Sequence, residues 1–437
     1  MENKIKKIKD ITIFILLTIW ILVPILKEIL IVRYEIICVN FIGLIGIYLF
    51  LLKLYEDFMS KQNKKEFLKE NLPIFILFIF MLWTLISSIF ASDRDLAFNG
   101  DVYRKEGYLT YLTYAGFFGL AYFLESKKLK NILLNIFVIV AIFNMIFMLL
   151  VSNGYIEGSF WAEDIRKGVF ENINHYGYYL LLVTIITGLL FVYQKNKYVK
   201  VLYLCAYAFL MYFLILNNTF GVYLALCCAL VLFFIYCIYK KKRVFLSTVP
   251  IIILIIMSLI TKNGQEIIIL NNIKGFKDDI QKIAQVFLYN GNNETTDEYI
   301  TNKEFESAGS GRMQIWKYGI KFALEKPIFG YGPDNLGRKY LEENIFQDRP
   351  HNLLIQLANT SGIPGLILYV TAIGIILIRA IKTMNENNSL HIVLLFTLVA
   401  YLISAMFGNS MYYTSPYFFI LLGFLMGENV KEMVYKN

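Results

Sequence analysis

Four short stretches hold residue types that could do chemistry together. RPHNLLIQLANTSGIPG, residues 349 to 365, sets Arg349, His351 and Asn352 at the head of an apolar run, and the chain has only three histidines. A helix N-terminus and Arg349 two residues away both disfavour imidazolium, so His351 should stay neutral and able to accept a proton. The alternative is a His-Asn pair that only caps the helix. GSGRMQIWKYGIKFALEKPIFGYGPDN, residues 309 to 335, offers Arg312, whose forked guanidinium suits phosphate oxygens. The same stretch also reads as an interfacial helix with Trp316 at headgroup level, followed by a Gly-Pro turn that carries Asp334. DVYRKEGYLTYLTYAG brings Arg104 and Glu106, and FENINHYGYYL brings Asn172, Asn174 and His175. Alone, each of these reads as boundary charges or helix caps.

The elements that must position these residues are membrane spans. A chain of 437 residues that is 57% hydrophobic and 17% charged exposes too much apolar surface for water to solvate. About twelve apolar runs approach the ~20 residues needed to cross a bilayer. They centre on residues 11–30, 36–54, 72–90, 108–124, 132–151, 176–193, 199–216, 219–239, 244–260, 363–381, 390–407 and 412–426. The fold class expected is therefore all-α and polytopic, with about twelve transmembrane helices and a large extracytoplasmic loop bearing amphipathic helices. The first run is too long for a cleaved signal peptide, and no small-residue cleavage site follows it.

Cytoplasmic loops hold an excess of Lys and Arg. With MENKIKKIKD inside, the basic connections and the tail VKEMVYKN also fall inside, together carrying roughly 23 of the 42 Lys and Arg. Both termini are then cytoplasmic. The net charge of +9 follows from this topology, with no solvated basic face for nucleic acid. The five cysteines lie in apolar runs without metal-ligand spacing, and no cofactor or metal is expected.

Arg104, His175, Arg312 and His351 all fall on the predicted outer side, near helix starts. His391, the third histidine, falls at the cytoplasmic end of a span. The outer loop from Thr261 to Pro350 is long enough to be functional, and residues 273–288 and 312–325 have the spacing of amphipathic helices. Pro364 and Gly365 should interrupt the helix that follows His351. We divide the chain into 1–107 (three spans and the first outer loop), 108–261 (spans four to nine), 262–350 (the large loop) and 351–437 (the outer HN helix and last three spans). Span interiors hold almost no ionisable residue, which disfavours a lipid-linked glycan transporter or flippase; a non-catalytic scaffold is a further alternative.

The series RKEG, FENINHYGYYL, GSGRMQIWKYGIKFALEKPIFGYGPDN and RPHNLLIQLANTSGIPG, in that order, resembles the O-antigen ligase and O-antigen polymerase superfamily. The resemblance runs from about Arg104 to the end of the bundle. It implies a GT-C-like glycosyltransferase in the bacterial inner or plasma membrane. Such enzymes move glycan from undecaprenyl diphosphate to an acceptor hydroxyl, without metal and with inversion. The implied partners are the undecaprenyl-diphosphate-linked glycan, a glycan, lipid or protein acceptor, and membrane lipids. By the same resemblance His351 acts on the acceptor hydroxyl, Arg312 holds the diphosphate, and Arg104 occupies a second arginine position. Asn352, Glu106, His175, Asn174, Trp316 and Asp334 are supporting candidates. Two positions depart from the family pattern: Phe220 stands where many relatives have arginine, so that one diphosphate contact is either missing or supplied elsewhere, with Arg166 as the candidate, and Leu353 stands where many have Glu. Trp161, Trp316 and Tyr331 could offer flat faces to sugar rings.

Overall fold

The computed structural model describes residues 2–30, 35–157, 164–170, 172–263, 266–288, 307–309 and 311–436. Trp161 lies outside them. A helix occupies every expected span. The helices at these positions are α1 (Glu2–Leu30), α2 (Glu35–Ser60), α4 (Leu72–Ile89), α6 (Tyr108–Phe123), α7 (Lys127–Ser152), α8 (Ile173–Tyr193), α9 (Lys197–Asn217), α10 (Phe220–Tyr239), α11 (Val244–Ile260), α15 (Leu353–Thr383), α16 (Ser389–Ala405) and α17 (Ser415–Lys436). Between them lie the short helices α3 (Lys64–Glu70), α5 (Arg94–Asn99) and α14 (Gly337–Glu342), and the loop helices α12 (Ile268–Leu288) and α13 (Arg312–Glu325). Among the described residues the strands are β1 (Lys262–Asn263) and β2 (Glu266–Ile267), an antiparallel pair. Among the described residues, eight helices are long and apolar enough to cross a membrane by length and composition, and α11 and α16 are shorter apolar helices. The protein is all-α and polytopic, as expected.

The helix α8 is apolar around its whole circumference, so it can only be buried, and it runs through the centre of the bundle. Helices α2 and α6 cross with Gly46 against the backbone of Gly116, a contact open only to residues without side chains. Both loop helices form where the three- and four-residue spacing predicts them.

The interruption after His351 lies at Gly362 (φ 69°), two residues before Pro364. Pro364 then falls in the first turn of the second half of α15, where its missing N–H leaves no bond unmade. A break frees backbone groups that must find new partners. Tyr331 and Gly332 donate N–H bonds to Asn359 O (2.7 Å) and Thr360 O (3.0 Å). The Trp83 indole donates to Ser361 O (2.9 Å), and Ile363 N–H reaches Pro327 O (2.7 Å). The GYGPDN turn and the break thus complete each other. Phe329 stacks with both Trp83 and Phe90, fixing the turn to α4.

At the opposite end of α16, His391 is fully buried and its Nε2 lies 2.9 Å from Asn429 Oδ1. Close by, Lys130 bonds Glu428 (2.8 Å), so this histidine belongs to a clasp joining α7, α16 and α17.

Candidate active site

The site is assembled from the turn after α13. Asp334, in the left-handed conformation (φ 53°), accepts the backbone N–H groups of Asp101 (2.9 Å) and Glu106 (3.0 Å) through Oδ2. Its neighbour Asn335 holds the loop at Ser92 and Asp93, accepting from Asp93 N–H (3.0 Å) and donating to Asp93 O (3.0 Å). Two adjacent residues therefore set the path of the segment that carries Arg104 and Glu106.

Arg349 is the hub of the cluster. Its side chain is 4% exposed, pairs with Asp334 Oδ1, and lies 3.9 Å from carboxylate oxygens of both Glu106 and Asp348. It also donates to Ser410 O (3.2 Å). Burial opposes its charge, but Asp334, Glu106 and Asp348 together hold the guanidinium above its ordinary pKa. Arg104 grips Asp348 with two hydrogen bonds, 2.6 and 3.1 Å. Burial would raise the Asp348 carboxyl, but Arg104, assisted by Arg349, keeps it below the usual range. Burial raises Glu106 despite Arg349 and despite hydrogen bonds from Tyr114 and Ser410.

His351 precedes the helix instead of beginning it. Its backbone is left-handed (φ 49°), and Asn352 is the cap, accepting from Leu354 N–H (3.0 Å) and Ile355 N–H (3.1 Å). Asn352 also donates to Met406 O (3.0 Å), so its polar atoms serve structure. The His351 ring is left to other partners: Nδ1 faces Asn409 Nδ2 at 3.1 Å and Nε2 faces Gln347 Oε1 at 3.3 Å. Its pKa is pushed down to about 4, chiefly by burial and then by Arg312, with Arg104 and Arg349 adding to the effect and Asp348 opposing it. The imidazole is neutral, as expected, but burial rather than a helix N-terminus is the main cause. With Asn409 donating to Nδ1, Nε2 carries the proton. The reversed Asn409 amide would give its unpartnered Oδ1 to Nδ1–H and leave Nε2 free to accept a proton.

Arg312 opens α13 and donates to Gly309 O (3.2 Å), while its Nε has no partner among the described residues. Trp316, one turn on, rests against Phe407 with ring centres 6.2 Å apart. His175 is buried between Tyr178 and Tyr413, with Nδ1 3.4 Å from Thr414 Oγ1. Phe220 stacks on Phe276 of α12 at 5.3 Å, so the position carries an anchor for that helix. Leu353 is buried at the head of an apolar groove.

Arg104, Glu106, Asp334, Asp348 and Arg349 thus share one network, and His351, held by Asn409 and Gln347, feels Arg312, Asp348, Arg104 and Arg349 electrostatically. Arg166 does not join it: its exposed guanidinium binds Asp164 (2.9 and 3.1 Å). Asn174 contributes a backbone N–H to the Asn172 cap (2.9 Å). Sequence reasoning gave no role to the 406–414 segment, whose Asn409, Ser410 and Thr414 touch His351, Glu106 and His175. Its signal was faint, a short polar GNS between two apolar runs. Arg349 had been read only as a neighbour of His351.

A polar cleft and an apolar groove are among the concavities that adjoin the cluster. A polar cleft of ≈360 Å³ is lined by Asp93, Asp101, Arg104, Asp334, Asp348 and Arg349 among others. An apolar groove of ≈370 Å³ runs between α15 and α16 from Leu353, Leu354 and Met406 past Ile373 to Leu377.

These features are those of a polytopic α-helical membrane protein with a buried Arg-carboxylate network, and a half-buried histidine beside it, at one end of its bundle. Residues 205–370 match the family model described as O-antigen ligase, which supports the O-antigen ligase/polymerase superfamily and a membrane glycan-processing function of that type. The matched segment contains Phe220, Arg312, Asp334, Arg349, His351 and Asn352, whereas Arg104, Glu106, Arg166, Asn174 and His175 lie before it. Comparison with curated proteins gives no match.

Proposed function

We propose that the chain is a glycosyltransferase of the GT-C type that transfers or polymerises glycan from undecaprenyl diphosphate onto an acceptor hydroxyl. It works at the outer face of a bacterial cell membrane, with both termini inside. The observation that carries this reading is the neutral, half-buried His351 under the influence of Arg312, at the head of a groove suited to a polyprenyl chain. In the step proposed, the acceptor oxygen attacks the anomeric carbon from the face opposite the leaving group, inverting it. The bond to the diphosphate oxygen breaks with its electron pair, and the hydroxyl proton passes to His351 Nε2, which accepts it in the tautomer where the reversed Asn409 amide gives Oδ1 to Nδ1–H. Arg312 offsets the charge developing on the diphosphate, so the chemistry calls for cations and a base and no metal. Arg104 and Arg349 are largely neutralised by Asp348, Asp334 and Glu106, and they shape the polar cleft where glycan hydroxyls would bind. Asn174 and Trp316 would be secondary contacts to the substrate, whereas Arg166, tied to Asp164 outside the cluster, would not.

The test is turnover by purified protein given an undecaprenyl-diphosphate glycan and acceptor. Wild type should release undecaprenyl diphosphate, and His351→Ala and Arg312→Ala should each cost at least about 100-fold. Turnover that survives both substitutions would sink the site assignment.

A further inference from the structure

Buried hydrogen-bond donors are rarely left without acceptors, because each costs its full desolvation. Three such donors lie around the loop that presents Asn409 to His351. Arg312 Nε and Trp316 Nε1 project from successive turns of α13, and the Tyr178 hydroxyl comes from α8; all three atoms are shielded from solvent and have no partner among the described residues. Trp316 and Tyr178 abut adjacent residues of that loop, and Arg312 lies one turn before Trp316 on α13. The Trp316 ring lies against Phe407, and the Tyr178 hydroxyl presses so closely on Gly408 that no side chain could stand there. Arg312 acts electrostatically on both Tyr178 and His351.

We propose that Arg312 Nε–H, Trp316 Nε1–H and Tyr178 O–H form a donor set for phosphate-ester oxygens, which on the function proposed above are those of the carrier diphosphate. The chemistry fits the setting. Indole N–H can only donate, and a neutral donor strengthens the hold on a leaving anion without adding a cation next to His351. A further positive charge there would drive the imidazole pKa still lower and weaken it as a base. Phe220, facing Phe276, brings no charge to this region. The role assigned to Trp316 is thus hydrogen bonding through its edge, and Tyr178 becomes a binding residue.

The experiment is calorimetric titration of the full chain in nanodiscs with undecaprenyl diphosphate, undecaprenol and phosphatidylglycerol. Wild type is compared with Trp316→Phe, Tyr178→Phe and Arg312→Ala. The two Phe variants keep the rings and remove one donor each, so each should weaken undecaprenyl diphosphate about tenfold while leaving undecaprenol unchanged. A fold defect would weaken undecaprenol as well, so the ratio of the two affinities reads the donors alone. If both Phe variants bind undecaprenyl diphosphate within twofold of wild type while Arg312→Ala loses it, the donor set is refuted and the proposed function stands. If Arg312→Ala also binds as wild type does, both fall. Equal loss of phosphatidylglycerol affinity in the Phe variants would overturn the assignment to the carrier diphosphate.

Discussion

Replacing Arg349 by Met tests the network that shapes the site. The substitution removes the cation paired with Asp334 and leaves Glu106 beside it in a buried environment, the side chains being 3% and 1% exposed. Breaking a buried ion pair by deleting one partner costs about 3–5 kcal/mol, or two to three and a half decades in the ratio of folded to unfolded protein. The loss should depend on pH. Burial already raises the Glu106 carboxyl against the pull of Arg349, so without Arg349 it rises further. A carboxyl that binds its proton more tightly when folded stabilises the fold at low pH, and that stabilisation is lost as pH rises through its folded pKa. Thermal unfolding in nanodiscs should therefore show a larger deficit at pH 8 than at pH 5. Adding Glu106→Gln and Asp334→Asn should recover most of it, because no unpaired charge then remains. A variant as stable as wild type at pH 8, or a deficit that ignores pH, would refute the reasoning.

Three further outcomes are expected. The acid limb of kcat/KM should fall near pH 4, the His351 pKa, and not near 6.5, with the rate flat in this group's titration above about pH 5; a limb at 6.5 would remove His351 as the base. Asn409→Asp places a carboxylate on His351 Nδ1 and should move that limb upward by about one pH unit or more, whereas Asn409→Leu should lower kcat with little change in KM; an unmoved limb in Asn409→Asp would deny the pairing. Gly362→Ala forces a left-handed alanine whose Cβ would collide with the carbonyl of Ile328, and should lower the yield of folded protein sharply; normal expression and melting would contradict the account of the break.

The spans were legible because their cause is local. An apolar run of the right length must become a buried or lipid-facing helix, and α11 and α13 begin and end where their patterns do. The helix interruption was legible in kind from SGIPG, but its place depended on Pro327 and the GYGPDN turn, which meet it only in three dimensions. Arg312 and His351 stood out by residue type at a membrane boundary. Arg349 did not, because an arginine becomes a hub only when Asp334, Glu106 and Asp348 converge on it from two segments some 230 residues apart. Asn409 and Ser410 were hidden for the same reason: their partners, His351 and Glu106, are 58 and 304 residues away. The Phe220 position was read as a missing cation, and the structure shows what replaced it, an aromatic contact that seats α12.

If glycan leaves its carrier at His351 and Arg312 in a single inverting transfer, the products can be counted in proteoliposomes supplied with undecaprenyl-diphosphate glycan and acceptor. One undecaprenyl diphosphate should be released per glycan transferred, the anomeric centre of the product should be inverted, and His351→Ala should lose both products while undecaprenyl diphosphate still binds. Movement of intact lipid-linked glycan across the bilayer without release of the carrier, or full turnover in His351→Ala, would contradict it.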